Sequence, residues 1–144
     1  MSLDGDYDDG NIFARILKGE IPSARIWEDA HTLAIMDAFP QTRGHALVIH
    51  KTSRARNLLD AEPQVLGQLI TTVQMVALAA RAALKPDGLT VIQFNGASAG
   101  QTIFHLHFHV MPRWDAVALG AHGRGQADPA ELAALAHQIA AEIR

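Results

Sequence analysis

The chain is expected to fold as α+β: a five-stranded antiparallel sheet with one long helix, a short N-terminal helix and a C-terminal helix. Three observations predict this. Strand-like segments follow one another in hairpin order. One long stretch, Pro63 to Leu84, sets its apolar residues on a single helical stripe. No internal repeat divides the chain, and 144 residues suit one domain.

The elements follow in order. Residues 1–10, MSLDGDYDDG, are acidic and are expected to form a flexible tail ahead of a single domain over 11–144. Asn11 to Lys18 places Ile12, Phe13, Ile16 and Leu17 at helical spacing, and Gly19 stops the helix. Ala24 to Glu28 and Thr32 to Asp37 form a hairpin that turns near Asp29-Ala30-His31. Phe39 to Gly44 is a loop, and His45 to His50 (HALVIH) is the third strand. In the long helix, Val65, Leu69, Val73, Val76 and Ala80 share one face; Asp60 or Glu62 caps it, and Pro63 suits its first turn. Lys85-Pro86-Asp87-Gly88 ends it. Leu89 to Phe94 is the fourth strand, and Ile103 to Met111 is the fifth. Trp114 to Gln126, with three glycines, reads as a mobile loop. Asp128-Pro129-Ala130-Glu131 is a capping box ahead of a helix with Leu132, Leu135, Ile139 and Ile143 inside.

Composition excludes several chemistries. There is no cysteine, so disulfides, thiolate metal sites and a cysteine nucleophile are ruled out. A net charge of -3 with scattered cations gives no basic face for nucleic acid. KTSRAR, Lys51 to Arg56, reads as a solvated turn after a strand. No apolar run approaches the roughly 18 residues of a membrane span. The start lacks the basic-then-apolar order of a signal peptide. A cytoplasmic protein with no membrane partner is expected.

The segment FHLHFHVM, Phe104 to Met111, carries the chemistry. Residues two apart on a strand share a face, so His105, His107 and His109 point one way, while Leu106, Phe108 and Val110 point to the core. Metal binding, catalysis and accident are the three readings. A straight strand separates His105 from His109 by about 13 Å at the backbone. One zinc, with bonds of about 2.0–2.1 Å, would need outside ligands such as His45 or His50 with carboxylates. Catalysis uses neutral imidazole as a nucleophile toward phosphorus, forming a covalent intermediate. His107, flanked by an imidazole on each side, is the best placed nucleophile, and a neighbouring histidine can protonate a leaving group. Just upstream, Asn95 to Thr102 (NGASAGQT) is a small-residue loop. Gly96 and Gly100 would let backbone N–H groups converge on phosphate, with Gln101 and Thr102 adding side-chain donors. His31, His50, His122 and His137 carry no motif and read as surface residues.

The motif HLHFHVM at 105–111 resembles the histidine triad (HIT) superfamily of nucleotide hydrolases and transferases in full, and the likeness runs over about residues 11–113. IFARILKGEIPSARIWED, DAFPQTRGHALVI and NGASAGQTIFHLHFHVMPR all read like a bacterial member. The resemblance implies the five-stranded fold, a homodimer, a purine nucleotide substrate and no cofactor. It implies cleavage at the α-phosphorus of a nucleotide phosphoramidate or dinucleoside polyphosphate; a nucleotide-binding regulatory protein with little turnover is the alternative. By motif position His107 is the nucleophile, His109 contacts the phosphate and assists the leaving group, His105 orients the nucleophile, and His45 packs against them. Asn95, Gln101 and Thr102 match phosphate and leaving-group contacts, alongside the Gly100 backbone. Asp37 matches the ribose ligand, or else caps its loop. Phe13, Ile16, Ile21 and Ile35 match an apolar slot for the base, and can equally be core. Many bacterial relatives hold a structural zinc through Cys-x-x-Cys and a histidine. Asn11, Ala14 and Ser53 stand at those positions, which argues against that site here.

Overall fold

The computed structural model describes residues 3–120 and 125–144. The elements are α1 Ile12–Leu17, β1 Arg25–Glu28, β2 Thr32–Met36, β3 Ala46–His50, α2 Pro63–Leu84, β4 Gly88–Ile92, β5 His107–Arg113 and α3 Pro129–Ala140. The five strands form one antiparallel sheet in the order β1-β2-β3-β5-β4. The expected α+β architecture is present, with its helices where the periodicity put them.

Local chemistry sets the helix ends. Asn11 caps α1 by accepting the Ala14 N–H. α2 opens with Pro63, but neither candidate cap serves it: Glu62 makes no side-chain cap bond there. Asp60 instead closes a capping box with Asn57 around a short 3₁₀ turn, Leu58–Asp60, which periodicity did not show. Lys85, in the left-handed region, ends α2. Asp128 caps α3 through the Ala130 N–H.

Register decides which side chains share a face. Across the sheet, Leu33, Ile49 and His107 form one row, and Ile35, Leu47, His109 and Ile92 form the next. The opposite face carries Ala34, Val48, Val110 and Met36, which pack with Leu69, Val73 and Val76 of α2 and with Leu132 and Ile139 of α3. Contrary to the expectation that no segment approaches a membrane span, α2 is long and apolar enough to be one by length and composition, but its stripe lies over β2, β3 and β5. The histidine face has its own small core: Phe13, Ile16, Leu33, Ile35, Leu47 and Ile49.

The structure adds to or revises several further expectations. The fifth strand begins at His107 rather than Ile103, because its neighbour β3 runs out: Ile49 pairs with His107, and the Leu106 N–H turns instead to the Ala55 carbonyl. The segment KTSRAR is not simply solvated. Lys51 and Arg54 pair with Glu28 and Asp9, while Arg56 is buried, its guanidinium 4.8 Å from the Phe104 ring centre. The described part of the expected tail is docked: the Leu3 carbonyl accepts from Arg56 Nη1 and Asn57 Nδ2, and Arg54 lies over the Tyr7 ring. The expected mobile loop at Trp114 to Gln126 includes residues 121–124, and His122 with them, outside the described residues.

Candidate active site

His107 and His109 project from β5 onto the α1 side of the sheet, opposite Ile49 and Leu47. His105, just ahead of the strand, brings its ring to the same side, 6.1 Å from Phe13 centre to centre. Phe13 sits edge-on to His107 at 4.8 Å, and His107 and His109 lie 5.0 Å apart. The three imidazoles form one buried cluster.

Hydrogen bonds fix which nitrogen of each ring carries the proton. His107 Nδ1 lies 2.6 Å from the His105 carbonyl. A carbonyl only accepts, so Nδ1 holds the hydrogen and Nε2 keeps its lone pair. His105 Nε2 likewise donates to the His50 carbonyl at 2.9 Å, so its Nδ1 accepts the Tyr7 O–H at 2.7 Å. The Gln41 N–H donates to His45 Nδ1, so the His45 hydrogen sits on Nε2. That nitrogen is 2.9 Å from His109 Nδ1, which therefore accepts, and His109 presents an Nε2–H. The cluster thus holds one nitrogen base and one N–H donor side by side.

Burial keeps the nucleophile candidate neutral. Desolvation lowers the His107 pKa to about 3, outweighing the bond to the His105 carbonyl. Desolvation likewise lowers His105 to about 4.

Asp37 is buried beside His45, its Oδ2 3.4 Å from His45 Nε2, and its Oδ1 accepts the Phe39 N–H. It therefore does cap its loop. Asp37, His45 and His109 bring one ligand atom each within 4.8 Å of one another, as a metal cluster would. The Gln41 N–H on His45 Nδ1 places a proton on the nitrogen a metal would need, so the trio fits a hydrogen-bonded relay.

The glycine loop differs from expectation. The N–H groups of Gly96, Ala99, Gly100 and Gln101 are spent inside the loop, on Gln101 Oε1 and the carbonyls of Gly96 and Ala97. Gln101 is buried, and its Nε2 donates to the Arg56 and Ile103 carbonyls. It braces the loop and has no side-chain donor left for phosphate. Asn95 Oδ1 accepts from the Leu58 N–H and Gln93 Nε2, leaving its Nδ2 as donor, and Thr102 is exposed. Phe13, Ile16 and Ile35 are buried in the histidine-face core, and Ile21 packs on its margin.

His50, expected at the surface, is buried; its ring binds Gln68 and the amides of Thr52 and Ser53, and its carbonyl holds His105. Tyr7, which lies in no motif, is a site residue that the sequence did not signal, and His50, weighed there only as an outside zinc ligand or a surface residue, serves the site through its carbonyl.

A model of the HIT domain family matches residues 18–116. The chain belongs to the HIT family. Among solved structures, a Hit-like protein of Bartonella henselae is 42% identical, with a TM-score of 0.92 over 96% of this chain and all of its own. A hypothetical histidine triad nucleotide-binding protein of Sulfolobus tokodaii is 33% identical, with a TM-score of 0.82 over 90% of this chain and 89% of its own. The adenylylsulfatase HINT3 of Arabidopsis thaliana is 35% identical over 71% of this chain, which spans 51% of that protein. HIT relatives of this chain thus include a hydrolase.

Proposed function

We propose that this HIT protein is a nucleotide hydrolase or transferase acting at an α-phosphorus through a nucleotidyl-histidine at His107. The hydrogen bond from His107 Nδ1 to the His105 carbonyl carries the reading, because it leaves Nε2 as the nucleophilic nitrogen. In the first step Nε2 bonds to phosphorus as the P–N or P–O bond to the leaving group breaks. The His109 Nε2–H donates to the departing atom. Water then attacks the phosphorus, its released proton returns to His109 Nε2, and the P–N bond to His107 breaks with its electron pair going back to Nε2, giving the nucleoside monophosphate. Nucleoside phosphoramidates and dinucleoside polyphosphates both fit this sequence of steps.

Asn95 Nδ2 and the Thr102 hydroxyl serve as phosphate donors in this reading, and the Asp37 carboxylate takes the ribose hydroxyls. The margin of the Phe13, Ile16, Ile21 and Ile35 cluster receives the base. A homodimer joins along β4, which stands at the sheet edge with Val91 44% exposed.

The test compares wild type with His107→Ala on an adenosine phosphoramidate and a diadenosine polyphosphate. Turnover should fall by at least about 10³-fold while nucleotide binding survives, as for loss of a covalent nucleophile. Rapid quench of the wild type should yield a labelled His107 adduct. A variant with near-normal rates would end the nucleophile assignment.

A further inference from the structure

The chain ahead of α1 meets the histidine cluster through Tyr7, 98 positions before its partner His105. Several contacts hold this segment in place. Arg54 stacks on the Tyr7 ring at 4.6 Å and pairs with Asp9. Lys18 Nζ donates to the Asp9 carbonyl at 3.3 Å. Leu3 packs where a Cβ on Gly96 would stand, so the same segment also touches the glycine loop.

Exposed pairs such as Arg54 with Asp9 contribute little stability, so they act chiefly to place the segment. It reaches the buried cluster through the Tyr7 hydroxyl, which donates to His105 Nδ1. The His105 ring then has a partner on each nitrogen, Tyr7 on one side and the His50 carbonyl on the other. The His105 carbonyl accepts the His107 Nδ1–H in turn. A ring held at both nitrogens resists flipping and fixes its own backbone.

We propose that Tyr7 is a positioning residue: its hydroxyl locks the His105 ring, and the His105 carbonyl thereby aims the His107 ring at the substrate. The proposal rests on the nucleophile assignment made above. Removing the hydroxyl leaves a buried nitrogen without a donor, which favours a turned or re-tautomerised ring.

The test is Tyr7→Phe in the full ¹⁵N-labelled chain, since phenylalanine keeps the aromatic face under Arg54. In wild type the His105 imidazole nitrogens should show the Nε2–H tautomer, and the His107 Nδ1–H proton should exchange slowly. In the variant the His105 pattern should change and the His107 proton should exchange faster. With a nucleoside phosphoramidate, kcat should fall about tenfold, a cost typical of a misplaced reacting group. KM should stay within about twofold, and the burst of labelled adduct in a rapid quench counts the active enzyme, so that kcat is corrected for any unfolded fraction. Unchanged signals from both rings would overturn the proposal whatever the activity, and altered rings with unchanged kcat would overturn the aiming step. If the wild type turns over no nucleotide, the functional reading fails, and the two ring signals still decide whether Tyr7 positions His107.

Discussion

His107 shows how a single residue is tuned by its surroundings. Burial holds its pKa near 3 and that of His105 near 4, against an ordinary value of 6.5. A depressed pKa means that the unfolded chain takes up protons before the folded chain does. The stability tied to these rings is therefore complete above about pH 6.5 and is lost as the pH falls through 6.5 toward 3. Thermal unfolding should move to lower temperature between pH 7 and pH 4, and His107→Asn should shrink that drop. An equal drop in the variant would mean that other groups govern acid stability. The alternation of the histidines was legible in the sequence because a strand has a period of two. Their tautomers were not, because a tautomer is set by whichever group lies opposite the other nitrogen.

At the scale of elements, the loop between β2 and β3 places His45, and Gly44 makes its turn possible. Gly44 has φ +84, and a Cβ there would clash with Leu84 Cδ1. Gly19 has a similar φ of +79 but open space around it. Gly44→Ala should therefore cost both backbone strain and overpacking, about 3 kcal/mol, while Gly19→Ala should cost about 1 kcal/mol of strain alone. Denaturant titration of the two variants separates the steric part, and equal losses would show that Leu84 gives way. The limits of α2 were legible because Pro63 and the Lys85-Pro86 stop are local signals. The start of β5 was not, since it depends on where the partner strand β3 ends.

For the whole molecule, the sheet leaves β4 at one edge and packs α2 over the central strands. Val91, on the α2 side of β4, is left half exposed. If two copies pair along this edge, sedimentation at micromolar concentration should give a dimer, and Val91→Lys should shift it toward monomer. A monomeric wild type, or a variant dimer of unchanged strength, would remove this interface.

By itself the sequence determined the α+β class, the extent of α2, and the face shared by His107 and His109. Each follows from spacing within a few residues, where the backbone period fixes direction. Only the tertiary structure decided that Tyr7 holds His105, that His45 meets His109 through Nε2 and Nδ1 64 positions apart, and that Gln101 braces its own loop. Those contacts depend on register and loop closure between distant segments, and no local period encodes them.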